Sequence, residues 1–240
     1  KNHTAPNLTK EAVYGLTEFN REAVTKARLI GNPGCYAINA IIALYPLLKA
    51  GVLDLKTISI HGENGTSGSS DGEGRPLIHQ HADRSILFYS LNGHRHQAEI
   101  NDQLGKLLGT ENVKVNLIPS TAPIVRGTTN TISAKVNPEY KGELSRDALL
   151  QLYKTAYENE QFIDVVDFKK KKSGIAKEFD IFPKVADVAD SNYTQIGLDY
   201  NEGSGFVNIV SVSDNRMKGC GGSGVQNMNL MFGFPEATGL

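Results

Sequence analysis

Between Tyr36 and Gly51 the apolar residues Ile38, Ile41, Ile42, Leu44, Leu47 and Leu48 recur at helical spacing, which predicts a helix that Pro46 kinks or ends early. The period then changes. Residues 57–61 alternate apolar and polar positions as a half-buried strand does, and a Gly/Ser-rich loop over 62–74 follows. Residues 86–90, 113–119 and 127–136 predict further strands, and 99–108 an amphipathic helix among them. Residues 145–158 carry the fullest helix signal, with Ser145 as N-cap and Asp147 in the first turn. A short helix over 18–27 runs into a strand-like 27–30 at the front of the chain. At the other end, 193–200 and 205–213 predict two strands of one sheet and 225–231 a closing helix. Strands joined by short turns, with helices between some of them, predict an α+β fold dominated by an antiparallel sheet.

Composition narrows the function classes. A chain of 240 residues makes one large domain or two small ones, and 40% apolar with 21% charged residues describes an ordinary globular protein. Its 25 basic and 26 acidic side chains give no electrostatic reason to expect nucleic acid or an anionic membrane as a partner, so a small ligand is expected. The longest apolar run, 38–52, is interrupted by Asn39, Pro46, Lys49 and Gly51 and falls short of the roughly 20 residues a membrane span needs. Two cysteines make no disulfide framework, and no charged-then-apolar leader opens the chain. The cytoplasm is the expected location, with an organelle open if a targeting segment lies outside these residues. The chain lacks an initiator Met and begins inside a motif, so a fragment is expected. The run Lys169–Lys172 reads as a solvated loop.

Candidate chemistry begins at Cys35, which follows a Pro-Gly turn and opens the first long helix. Free backbone N–H groups and the positive end of the helix dipole favour a thiolate there. Free cysteine is also among the most buried residue types, so nucleophile and packing residue are both open on this ground. A nucleophilic thiol needs a base, and four of the six histidines fall in His79-Gln-His81 and His94-Arg-His96. In extended chain such pairs point to one face and could ligate a metal with Glu63, Glu99 or Asp102. A helical run starts at Glu99, however, and neither pair has the His-Glu-X-X-His spacing of a zinc helix, so no metal is expected. His94 falls on a strand-to-helix loop, where catalytic groups are common. Arg126, in Pro123-Ile-Val-Arg-Gly127, needs a carboxylate or phosphate partner, which a bound ligand or an internal salt bridge supplies equally well. Gly219-Cys-Gly-Gly-Ser-Gly224 formally matches a dinucleotide fingerprint, but too few residues follow it for a βαβ unit. It reads as a hinge, and Cys220 within it as structural.

Gly31-Asn-Pro-Gly-Cys-Tyr36, Gly93-His-Arg-His-Gln-Ala-Glu-Ile100, Pro123-Ile-Val-Arg-Gly127 and the ending from Val225 to Leu240 together resemble the N-acetyl-γ-glutamyl-phosphate reductases of arginine biosynthesis, in order along the whole chain. A sister family is the carrier-protein-linked aminoadipate 6-phosphate reductases of lysine biosynthesis, and the aspartate-semialdehyde dehydrogenases are more distant. The resemblance implies a domain like the second, catalytic and dimerisation domain of glyceraldehyde-3-phosphate-dehydrogenase-type enzymes, self-associating through its sheet into a dimer or tetramer. It also implies NADP(H)-dependent reduction of an acyl phosphate to a semialdehyde with release of phosphate. Carried onto this sequence, Cys35 is the nucleophile that forms a thioester and His94 the general acid/base. His96 and Arg126 hold substrate oxygens, and Ser67, Gly68 and Asn227 approach the cofactor. The segment Glu63–Arg75 is longer than the family's loop there and lacks its lysine, which bears on recognition of the substrate tail. The family's N-terminal Rossmann domain is largely absent from these residues. The implied division is 1–33 as the end of the cofactor domain with its linker, 34–214 as the catalytic and dimerisation domain, and 215–240 as a helix that packs on the cofactor domain. On this reading the chain alone binds NADPH poorly, and an inactive homodimerising fragment is the alternative from another class.

Overall fold

The computed structural model describes residues 4–68, 81–167 and 182–240. In chain order its elements begin with α1 (Pro6–Thr9), β1 (Val13–Tyr14), α2 (Thr17–Lys26), β2 (Ile30–Gly31), α3 (Cys35–Lys49) and β3 (Ile58–Asn64). Next come β4 (Leu87–Phe88), α4 (Arg95–Leu108), β5 (Val115–Thr121), β6 (Thr128–Lys135), α5 (Arg146–Ala156) and β7 (Ile163–Val165). The chain closes with α6 (Val185–Val188), β8 (Thr194–Asn201), β9 (Phe206–Ser213), a π-helical turn (Met217–Gly221) and α7 (Gly222–Met231).

Strands β4-β5-β3-β6-β9-β8-β7 form one sheet in that order. The β4/β5, β3/β6, β6/β9 and β8/β9 pairings are antiparallel, and β3/β5 and β7/β8 are parallel. The fold is thus α+β with a mostly antiparallel sheet, as expected. β1 and β2 pair separately, in parallel. Alternation in the central strands sets the two faces of the sheet. Ile58 and Ile60 of β3, Ile132 and Ala134 of β6, and Val207 and Ile209 of β9 are buried on the helix-covered face. Ser59, His61, Thr131, Ser133 and Asn208 point the other way and keep exposed surface.

α3 is apolar nearly all round, and it is accordingly the buried helix of the domain, in contact with the sheet and with α4 and α5. Pro46 does not end it. A proline at 46 has no N–H to give the carbonyl of Ile42 four residues earlier, a vacancy that ordinarily breaks a helix. Here the Tyr157 hydroxyl donates to Ile42 O at 2.6 Å, and the Tyr153 hydroxyl donates to the next carbonyl, Ala43 O. Burial raises the pKa of both phenols, so both keep the protons that these bonds require. The helix therefore runs on to Lys49, past the point where the proline alone predicts a kink or an end.

α4 starts at Arg95 rather than near Glu99 because the His94 side chain caps it. Ser145 caps α5 as expected, its Oγ accepting from Ala148 N at 3.1 Å. α7 begins at Gly222, earlier than expected, because the glycine-rich segment before it is itself helical. No helix among the described residues is long and apolar enough to cross a membrane. The loop beyond residue 68, His79 and the run Lys169–Lys172 lie outside the described residues.

Candidate active site

The start of α3 is held open by glycine. Gly34 is the N-cap, and a methyl group there would lie 2.2 Å from His96 Nε2, so only glycine lets the ring close on the backbone beside Cys35. Gly34 N donates to Glu99 Oε1 at 3.1 Å, and the same oxygen accepts from the Tyr14 hydroxyl at 2.8 Å. Cys35 is the first helical residue, and Asn64 at the end of β3 places its Nδ2 3.7 Å from the sulfur. Crowding and backbone donation oppose each other at this thiol. Burial is the larger effect and pushes its pKa up to about 11, aided by the neighbouring Cys220, against the N–H groups of Tyr36 and Cys35 and the charge of Arg95. The resting sulfur is a thiol.

His94 caps α4 with Nδ1, which accepts from His96 N at 3.2 Å; its neutral ring therefore carries the proton on Nε2. Tyr36, Tyr89 and His96 meet the ring edge-on, at centroid distances of 5.9, 5.7 and 4.6 Å. Burial, then the charge of Arg95, lowers the pKa of His94. His96 is buried more deeply, and burial, then His94 and Arg95, brings it down to about 3. Both rings are neutral at neutral pH.

Because the folded His96 resists a proton that the unfolded chain accepts near pH 6.5, its contribution to stability is complete above that pH and is lost as pH falls toward 3. Over that window each pH unit costs about 1.4 kcal/mol from this one ring. Denaturant titrations from pH 7 to pH 4 should show a steep acid loss that flattens in His96→Asn; equal slopes in the two proteins would refute the assignment.

Cys35, His94 and His96 line one cleft of about 490 Å³, together with Ser67 and Gly68. The residue pattern had not singled out two further lining residues, Arg95 and Arg216, and had read a third, Cys220, as structural. Both guanidiniums are exposed, and neither makes an ion pair among the described residues. Arg95 stands between the two histidines of a motif already under suspicion, and a search for anion-binding groups there could have found it. Arg216 has no local signal. Among the described residues no group of three or more His, Cys, Asp or Glu side chains is arranged to hold a metal.

Comparison with known proteins matches residues 35–215 to the family described as semialdehyde dehydrogenase, dimerisation domain. The chain belongs to the semialdehyde dehydrogenase dimerisation-domain family. Similar relatives are named N-acetyl-gamma-glutamyl-phosphate reductase. The protein from Lachnoclostridium phytofermentans is 36% identical over 99% of this chain and 64% of its own length. Those from Halothermothrix orenii and Geobacillus thermodenitrificans are 35% and 38% identical over 100% and 96% of this chain, and 65% and 62% of their own lengths. The chain thus spans just under two thirds of these relatives. Among solved structures, aspartate semialdehyde dehydrogenase II from Vibrio cholerae shares the fold with a TM-score of 0.69 at 15% identity, over 96% of this chain and 71% of that one.

In this semialdehyde dehydrogenase domain two of the expected site residues stand apart from the cleft lining. Arg126 pairs with Asp190 and, at 2.9 Å, with the fully buried Asp214, so the internal salt bridge is the alternative this geometry displays. Asn227 is buried, with Nδ2 donating to Gly15 O at 2.8 Å and Asn32 Oδ1 at 3.0 Å while Oδ1 accepts from Thr17 at 2.8 Å. Its amide protons are committed to bracing the front of the chain. Cys220, read from sequence as structural, is exposed on the cleft because the 217–221 turn folds back against α3. Ser67 meets Asn215 through a 3.0 Å hydrogen bond, and Gly68 allows a close approach, since a methyl group on it would lie 1.8 Å from Asn64 Nδ2.

Proposed function

We propose that this chain is the catalytic and self-associating part of an NADP(H)-dependent N-acetyl-γ-glutamyl-phosphate reductase. The observation that carries the reading is a thiol at the first position of a buried helix, facing a cleft shared with two neutral imidazoles and two guanidiniums that make no ion pair among the described residues. The names of the relatives support the substrate. Arg95 and Arg216 hold the phosphate and carboxylate oxygens of the substrate, since a guanidinium offers two parallel donors to either group. His96, uncharged, packs on Gly34 beside Cys35 and offers at most a neutral hydrogen bond.

Cys35 Sγ attacks the acyl carbon, the C–O bond to phosphate breaks, and the thiol proton leaves with the phosphate as a thioester forms. His94 Nε2–H donates to the carbonyl oxygen as charge builds on it, which stabilises each tetrahedral species. Ser67 and Gly68 fit the cofactor's approach, because both line the cleft, the missing side chain at 68 lets Asn64 pack there beside Cys35, and the buried Asn64 Oδ1 lacks a partner among the described residues. NADPH, when bound, supplies the hydride. His94 Nε2–H then holds the oxyanion of the resulting thiohemiacetal by a hydrogen bond, and as the C=O bond re-forms the C–S bond breaks, releasing semialdehyde and a sulfur that takes a proton from solvent.

The exposed Met228, Phe232 and Phe234 at and beyond the end of α7 support a cofactor domain packed against 215–240 and joined through 1–33. The outward sheet face, with Ser59, His61, Thr131 and Ser133, supports self-association through the 34–214 part. Two free cysteines support a reducing cytosol. The test extends the chain to the length of its relatives and follows phosphate-dependent NADP+ reduction. N-acetyl-glutamate semialdehyde should be oxidised; turnover of only the carrier-linked aminoadipate semialdehyde would move the protein to the lysine pathway.

A further inference from the structure

The two cysteines are far apart in sequence and line the same cleft. Cys220 is exposed, and Cys35 is half-buried beside it. Their proximity is set by Gly219, where a methyl group would lie 2.9 Å from Cys35 Cβ and 3.4 Å from Cys35 Cα. The backbone next to Cys220 therefore touches the backbone of Cys35. Gly219 and Gly221 flank Cys220, so no side chain on either neighbour bars a small rotation of the turn. That turn is a π-helix, a form less regular than the α-helix and often found at functional sites. A disulfide needs α-carbons about 4.4–6.8 Å apart, and Cys220 is one peptide step, about 3.8 Å between α-carbons, from the residue that makes the contact.

We propose that Cys35 and Cys220 form a reversible intramolecular disulfide when the protein meets a peroxide. Exposure directs the oxidant to Cys220 first. Its sulfur attacks the peroxide, the O–O bond breaks, and Cys220–SOH and one water result. Cys35 then attacks that sulfur, its proton leaves with the hydroxyl as a second water, and the S–S bond closes. Two thiols and one hydrogen peroxide become one disulfide and two waters, each sulfur losing one electron to the peroxide oxygens. A dithiol reductant reverses the step. The bond holds the sulfur of Cys35 at the level from which reduction restores it, instead of the sulfinic acid. Its consequence for turnover rests on the reductase reading above, whereas its formation does not.

The experiment reads mass and not activity. The reduced 240-residue protein is treated with equimolar hydrogen peroxide, blocked with an alkylating reagent and digested with trypsin without reductant. The peptide Leu29–Lys49 should appear linked to Gly219–Leu240, the free-thiol count should fall from two to zero, and dithiothreitol should restore both. In Cys35→Ser the sulfenic acid has no partner, so dimedone should label Gly219–Leu240. Two intact thiols after treatment, over-oxidation without the linked peptide, or chain-to-chain disulfide dimers on a non-reducing gel would each overturn the proposal.

Discussion

On the proposed reductase reading, Cys35→Ala lowers acyl-phosphate reduction by the full-length protein by roughly 10⁴-fold or more, because deleting a covalent nucleophile leaves only binding and oxyanion stabilisation. The same change leaves the fold in place. Cys35 is half-buried at a helix start, and its one side-chain partner is the long 3.7 Å contact from Asn64, so its loss is a small truncation rather than a broken network. Phosphate release in a single turnover separates the two effects: wild type should give a burst of one phosphate per active site, and Cys35→Ala no burst at an unchanged melting temperature. A variant within tenfold of wild type would end the assignment. The raised thiol pKa adds a second signature. Alkylation of the free enzyme at neutral pH should be slow and should accelerate as pH rises toward 11, in contrast to a cysteine whose thiolate is already formed.

Methionine at position 218 costs about 3–5 kcal/mol of stability, the range for stranding one charge of a buried ion pair. Lys218 and Glu18 are each 1% exposed at the side chain, and they join the π-helical turn to α2 across the whole sequence. Gln226 accepts from the same ammonium at 2.7 Å and passes the network to Glu236, which pairs with Arg21. Glu18 Oε2 already lacks a partner among the described residues, so removing the ammonium leaves an interior carboxylate with only the 3.4 Å hydrogen bond from Gln226 Nε2 to offset its lost hydration. A fall in melting temperature of roughly 10 °C follows for a chain of this size. Glu18→Leu combined with Lys218→Met should recover most of the loss, because the second change removes the stranded charge. A single variant within 1 kcal/mol of wild type, or a double variant worse than the sum of its parts, would contradict the pair's role.

Alternation and helical spacing located β3, β5, β6, β8, β9 and the long helices, since each buries one face or all faces against a neighbour. The short α1, β1 and α6 escaped, as did three features with clear physical reasons. β7 is three residues long and pairs in parallel with β8, a partner that no local period can name. Pro46 is a breaker in sequence and an interior residue in space, because the missing donor comes from Tyr157, more than a hundred positions away. α4 begins four residues before its amphipathic run because a histidine ring does the capping. The site divides in the same way. Cys35 and His94 were legible through motifs, and their convergence in one cleft is a tertiary fact. Arg126 left two readings open because its partners Asp190 and Asp214 lie far along the chain. Arg216 and Cys220 reach the cleft only through the fold of the 217–221 turn.

The two phenols that donate to Ile42 and Ala43 hold the middle of the helix whose first residue is Cys35. A rigid rod gripped partway along points its free end. Twisting α3 by even one side-chain position would tear both carbonyls from their donors in a dry interior. The azimuth at which the sulfur faces the cleft is thus set about two turns away, by residues from the end of α5 that lie outside the cleft lining. The aim of the Cys35 sulfur depends on that remote anchorage as well as on the glycines beside it.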